Sequence, residues 1–403
     1  MPPDESTQVT GHRMIFATSK TQTTLYDQIE YSGSPESFAW FLPIAGQVEI
    51  GLSSDALFAF LADETQVVIY PPPLDCVSSG RGDIALATAE GSDSDGVNVP
   101  PEEQVNVIAE EVVGPYETVQ LEATSPGALV DWLTGHGYAV PADVEPVIAA
   151  YQQEGFGFLA MKLVPGEGVR SMRPVRVTTP GASLSLPLRM VAAGTGAITP
   201  VTLHVVSEGR YEVVGRSLLK IPPALLAWDW DQNISNYRVL RDDLVDASNG
   251  FEWLTESAAP YAKQTLLSRA TAVINQNPGT TGWGDPESQL SELDAATADI
   301  ETLFAGMDEN STWLTRMYAR LTRQALAEDL LLGASADQSK VDRFLQAQQW
   351  TGTPPPCGSA LSCSASPAAL FAASRSTPGH LPAALVAGAG LLAALVSVRR
   401  RRR

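Results

Sequence analysis

FGFLAMKLV, residues 156–164, is apolar on both of its alternating sets, with Lys162 the one exception. Successive side chains of a strand point to opposite faces, so a run apolar on both sets predicts a strand covered on both sides. Around it the first 220 residues read mostly as β. RMIFATS (13–19), TLYDQIEY (24–31) and SFAWFLPI (37–44) are short apolar or alternating runs, parted by polar, Gly and Ser turns. VNVIAEEVV (105–113), YETVQLEA (116–123), PVRVTT (174–179), LSLPLRMVA (184–192), TLHVVS (202–207) and YEVVGRSLL (211–219) continue the pattern.

Helices interrupt it. Ala56, Leu57, Phe60 and Leu61 share one face of a helix predicted over 53–62. Ser125 and Pro126 suit the N-cap and first turn of another, with Leu129, Trp132 and Leu133 on one side and Gly135 as its stop. Beyond 250 the reading turns helical. Leu266, Leu267, Ala270, Val273 and Ile274 make one stripe; Leu290, Leu293, Ile300, Leu303 and Phe304 make a second; a third helix is expected over 312–332. The expected fold class is therefore α+β, with a β-rich mixed domain at 1–250 and a helical region at 251–350.

The end of the chain differs in composition. Residues 351–380 are rich in Pro, Ser and Ala and read as a stalk. LPAALVAGAGLLAALVSV (381–398) has eighteen residues without a charge, followed by Arg399, Arg400, Arg401, Arg402 and Arg403. As a helix it would be roughly 27 Å long, close to the ~30 Å hydrocarbon core. A transmembrane helix with a cytoplasmic arginine tail (399–403) is expected, which places the bulk of the chain outside the cytoplasm. Residues 1–20 contain no apolar stretch of the kind an export signal needs, so the reading expects the true start to lie upstream.

Charge narrows the function classes. The chain holds 46 acidic and 26 basic residues; six of the basic ones, but no acidic one, lie beyond position 364. The remainder thus carries 20 basic against 46 acidic groups, a surface that repels phosphates and argues against nucleic acid as a partner. Cys357 and Cys363 are close enough in sequence for a local disulfide, leaving Cys76 unpaired.

Motifs for chemistry are sparse. His12, His136, His204 and His380 are scattered without metal-ligand spacing, and no GxSxG is present. Asp93, Asp95, Gly96 and Glu102 match part of a calcium loop, but Gly91 holds the first position and Pro100–Pro101 would obstruct the helix after it, so a solvated acidic loop is expected. AWDWDQN (227–233) places two Trp beside two Asp, a sugar-binding composition read instead as the start of a helix with core and surface faces. Arg81–Gly82–Asp83 and the sequon at Asn233 read as incidental. No cofactor, metal or catalytic residue is expected.

Several segments together, in order, resemble a family of exported bacterial proteins, domain-of-unknown-function family 2330: HRMIFATSK, SGSPESFAWFLPI, SDALFAFLADET, EEVVGPYETVQLEA, ALVDWLTGHGYAVP, GFGFLAMKLVPGEG and SLPLRMVA. TRMYARLTRQALAEDLLL (315–332) is similar to its C-terminal signature, and the match spans most of 10–335. The resemblance implies export but no catalytic residue. It also implies an N-terminal two-cysteine segment, absent here, that would supply a partner for Cys76. The tail is similar to tripartite sorting signals, in which Cys357 or Cys363 would mark processing. The expected function is a non-enzymatic binding or scaffold protein of the cell envelope, with an envelope hydrolase acting on sugar or peptide as the alternative. A cleft lined by Trp40, Tyr116 and Trp132 with carboxylates would favour the hydrolase.

Overall fold

A computed structural model describes residues 8–32, 39–74, 105–123, 126–138, 140, 142, 144–167, 171–192, 196–284 and 290–355. Strand β1 (Gln8–Thr18) turns into β2 (Gln22–Ser32) at Ser19, whose hydroxyl accepts the N–H groups of Thr21 and Gln22. Next come β3 (Ala39–Ile44), β4 (Glu49–Leu52), α1 (Asp55–Thr65) and β5 (Val68–Tyr70). Ser54 caps α1 by accepting the Ala56 N–H at 3.0 Å. A second hairpin joins β6 (Val105–Val113) to β7 (Tyr116–Ala123) through Gly114, where φ is +54° and a Cβ would collide with Leu52. Beyond it lie α2 (Pro126–Gly135), α3 (Glu145–Gln153), β8 (Gly157–Leu163), β9 (Val175–Pro180), β10 (Ser185–Leu186), α4 (Leu188–Val191) and β11 (Ile198–Glu208). Then come β12 (Tyr211–Val213), β13 (Leu218–Leu219), β14 (Ala227–Asp229), β15 (Ile234–Ser235), α5 (Tyr237–Ala247), β16 (Trp253–Pro260), α6 (Lys263–Gln276) and α7 (Glu292–Phe304). The last elements are β17 (Thr312–Thr322), β18 (Leu330–Ala334), β19 (Phe344–Gln346) and β20 (Gln349–Thr351).

An eight-stranded sheet in the order β13-β16-β17-β11-β1-β2-β9-β4 forms the centre. β1 pairs parallel with β11 and antiparallel with β2, and it is buried on both sides: Ile15 and Ala17 face one way, Met14 and Phe16 the other. The first face packs under α1, α6 and α7, with Leu57, Leu61, Leu266, Ile274, Ile300 and Phe304 at the contact. On the second, Val201, Leu203, Val205, Trp253, Met317 and Leu321 meet Leu188, Leu326 and the small sheet β10-β18-β12. A four-stranded sheet, β3-β8-β7-β6, lays one face on the β2-β9-β4 end of the large sheet and the other on α2 and α3.

β8 shows the physics most directly. Leu159, Met161 and Leu163 enter the cluster shared with the large sheet, whereas Phe158 and Ala160 enter the cluster under α2 and α3. Lys162, the polar exception, lies over the Tyr138 ring, donates to the His136 carbonyl at 2.9 Å and pairs with Glu117 at 3.0 Å. Its stem covers apolar surface while its ammonium stays near the rim.

The expected α+β class, with a helical region at 251–350, is overturned. Residues from both sides of position 250 share the large sheet, and the predicted helix over 312–332 is strand β17, a short helical turn and strand β18. One compact unit takes in 1–73 and 80–353; of the other, 74–79 and 354–403, only residues 74, 354 and 355 are described. The physical reason lies in β17: Leu, Met, Arg and Ala favour helix in isolation, but pairing with β11 and β16 prevails over that weak preference. The run 184–192 is a two-residue strand and a short helix, because Pro187 breaks the ladder. AWDWDQN begins strand β14 and a turn, not a helix. The expected transmembrane helix falls on residues 381–398, outside the described residues; among the described residues no helix is long and apolar enough to cross a membrane, and the longest, α6, has 14 residues against the ~20 required. Residues 381–398 and Arg399, Arg400, Arg401, Arg402 and Arg403 lie outside the described residues, as do Cys76, Cys357, Cys363, His380, the acidic loop 91–102 and Arg81–Gly82–Asp83.

Candidate functional site

β2 outruns its neighbour. The β9 ladder stops at Val175, opposite Asp27, leaving residues 28–32 of β2 without a β9 partner. Pro174, which has no N–H to give, ends the pairing. The gap is a cleft of about 250 Å3. Asp27 lines it and accepts from His12 Nδ1 at 3.0 and 3.1 Å, both residues being 4% exposed. The register explains the meeting: His12 is opposite Ile29 and Met14 opposite Asp27, so the pair is a diagonal contact across β1 and β2.

Other groups converge from separate elements. The Tyr116 hydroxyl donates to the Arg173 carbonyl at 2.7 Å and accepts the Arg173 N–H at 2.9 Å, pinning the chain just before β9. Burial pushes the Tyr116 phenol well above its ordinary value. The Arg173 guanidinium gives Nη2–H to the Ser53 carbonyl at 3.2 Å and Nη1–H to that of Gly284 at 3.4 Å. Gln28 Nε2 donates to Asp55, whose carboxylate lies in the first turn of α1, where the helix dipole favours a negative charge. Arg13 Nε stands 3.5 Å from Glu30 across the hairpin, near enough for an ion pair but not aligned as a hydrogen bond.

Three polar atoms of this cleft are buried without a hydrogen-bond partner among the described residues: Arg13 Nε, Arg173 Nε and Gln28 Oε1. An unsatisfied buried polar group costs on the order of 1–3 kcal/mol. The sequence reading scattered the histidines and missed the His12–Asp27 pair. A hairpin turn at Ser19–Lys20–Thr21 would have set the register that brings them together. His–Asp pairs orient an imidazole for general-base work, but among the described residues no Ser, Thr or Cys lines this cleft, and its Tyr116 hydroxyl is held by backbone. Of the three aromatics expected to mark a hydrolase, Tyr116 alone lines the cleft with Asp27, Glu30 and Asp55. Trp40 packs between the sheets and Trp132 stacks on His136.

The buried carboxylates Glu256 and Asp299 are closed, whereas Arg210 Nε and Arg216 Nη1 are, like the three atoms at the cleft, buried without a hydrogen-bond partner among the described residues. Glu256 accepts from Arg316 at 2.5 Å, Tyr237 at 2.8 Å and Arg241 at 3.2 Å, and Arg241 lies over the Tyr318 ring. Desolvation raises the Glu256 pKa, but the two guanidinium groups outweigh it and hold the carboxyl below its ordinary range. Asp299 accepts from Ser53, Trp283 and Arg176; there burial prevails and its pKa is raised. His204 contacts Thr65 at 3.1 Å, and burial, reinforced by Arg316 and Arg13, holds it well below its ordinary value. His136 is exposed on α2's end, near none of these. In AWDWDQN, Trp228 is core, Asp229 accepts the Asp231 and Gln232 N–H groups, and Asp231 accepts that of Thr353, so the two acids serve turns. Asn233 occupies that turn with φ +54°. No group of three or more His, Cys, Asp or Glu among the described residues is placed to hold a metal ion.

A model of a family of uncharacterised proteins conserved in bacteria, domain-of-unknown-function family 2330, matches residues 2–330. The chain belongs to this family. No curated protein and no solved structure matches the chain. All of the large sheet, all of the four-stranded sheet and every residue lining the cleft fall within the matched part of family 2330.

Proposed function

We propose that this member of family 2330 is a non-enzymatic binding protein of the bacterial cell envelope, with the cleft between β2 and β9 as its binding site. The observation that carries this reading is the set of buried, unpartnered polar atoms in a cleft whose potential acid, base and hydroxyl groups already hold one another. Such a lining offers hydrogen bonds to a guest and, among the described residues, no Ser, Thr or Cys to attack it. The placement outside the cytoplasm rests on sequence: the uncharged run 381–398 ended by five arginines, and a strongly acidic remainder that argues against nucleic acid. The test pairs two measurements on the full chain. Calorimetric titration with small-metabolite mixtures should reveal saturable binding that weakens in Asp27→Ala, and the protein expressed from its own gene should be digested by protease added to cells whose outer membrane alone is permeabilised. Turnover of a sugar or peptide substrate that disappears in His12→Asn would replace the binding role with the hydrolase alternative.

A further inference from the structure

We infer that the cleft takes a small zwitterion, a molecule carrying an ammonium and a carboxylate on one short frame, as a free α-amino acid does. The inference rests on the binding reading above and names its ligand. Arg13 Nε and Arg173 Nε are buried donors without a hydrogen-bond acceptor among the described residues. Both belong to guanidinium groups, whose bonds to a carboxylate are charge-assisted and of the strong kind. Gln28 Oε1 is a buried acceptor in want of a donor, and its own amide nitrogen is committed to Asp55. Three residues that line one cleft thus carry two N–H donors on guanidinium groups and one amide acceptor whose hydrogen bonds are unmade, with carboxylates beside them.

Charge excludes the simpler guests. The lining carries two guanidinium groups, Arg13 and Arg173, against three carboxylates, Asp27, Glu30 and Asp55. A plain anion meets the carboxylates and a plain cation meets the arginines, each at the cost of like charges in a partly desolvated cleft. A guest with both charges matches both sets. Size agrees: about 250 Å3 equals the room of about eight water molecules at ~30 Å3 each, which suits a guest of amino-acid size rather than a sugar chain or a peptide strand.

The experiment titrates the full chain with each of the common α-amino acids, with the matching N-acetyl and amide derivatives, and with acetate, methylammonium and glucose. At least one free amino acid should bind ten-fold or more tightly than either of its derivatives. That binding should weaken at least ten-fold in Arg173→Gln and, independently, in Arg13→Gln, whose half-exposed side chain leaves folding intact; unchanged thermal midpoints without ligand certify both variants. If acetate or glucose binds instead and Arg173→Gln abolishes it, the zwitterion is overturned and the cleft remains a binding site. If no compound of the panel binds, the zwitterion is overturned; if unfractionated metabolite mixtures are silent as well, the binding reading falls with it.

Discussion

Glu256 and Asp27 both bury charge between strands, and they do so in opposite ways. Both carboxylate oxygens of Glu256 have donors: Arg316 and Arg241 supply the charge and Tyr237 a hydroxyl, and the guanidinium of Arg241 rests on an aromatic ring, although the flanking Thr255 and Ser257 hydroxyls have no hydrogen-bond partner among the described residues. In the cleft beside Asp27, a carboxylate is likewise answered by His12, but three neighbouring polar atoms are left wanting. Removing ions from water is repaid only when partners are complete. The closed cluster therefore belongs to the architecture, and the open one keeps capacity for something that is not part of the chain.

The sharpest way to break this contrast is at Glu256. Glu256→Ala leaves two buried arginines uncompensated and should cost about 3–5 kcal/mol in denaturant unfolding. A loss below about 1 kcal/mol would mean that the cluster is not structural. In the cleft, Asp27→Ala strands a buried imidazole and should cost roughly 1–3 kcal/mol. If it costs as much as Glu256→Ala, the two places are alike and the contrast fails. His204, in the same buried belt as Arg316, gives a pH signature. Its folded pKa lies below the unfolded one, so the unfolded chain takes up a proton that the folded chain refuses. Stability is full above pH ~6.5 and is lost as pH falls from there toward the folded pKa, by up to about 1.4 kcal/mol per pH unit. His204→Phe should flatten that part of the stability curve, and an unchanged slope would assign it elsewhere. The smallest effect belongs to Arg13→Gln, whose stability should stay within about 0.5 kcal/mol of the parent, since its 3.5 Å contact with Glu30 is half-exposed.

Legibility in the sequence followed how a segment is covered. β8 was readable because both of its faces meet apolar layers and its one lysine has a rim to reach. Helices α6 and α7 were readable because each buries one stripe, Leu266–Ala270–Ile274 and Ala296–Ile300–Leu303, and leaves the opposite side wet. β17 was not: it is covered on both faces yet carries Arg316 and Arg320, whose acidic partners Glu256 and Asp246 lie 60 and 74 residues away. No local pattern reports a partner at that distance. The cleft was opaque for a related reason. Its polar groups come from β1, β2, α1, β7 and the segment before β9, and only the packing of those elements makes them neighbours. His12 and Asp27 were the exception in principle, being joined by one short hairpin.

The parallel pairing of β1 with β11 has a consequence in time. His12 sits beside Val201, and Val201 beside Ala319, so the middle of the large sheet joins pieces from the beginning, the centre and the far end of the matched region. A ribosome makes β1 long before β11, so that strand cannot take its place between β2 and β11 until β11 has emerged, and β11 must wait for β17. Contacts of such long range pay their loop-closure entropy before they return anything, which slows folding. The newborn chain therefore carries β1 for a long time with its future centre unassembled, a state open to holding factors.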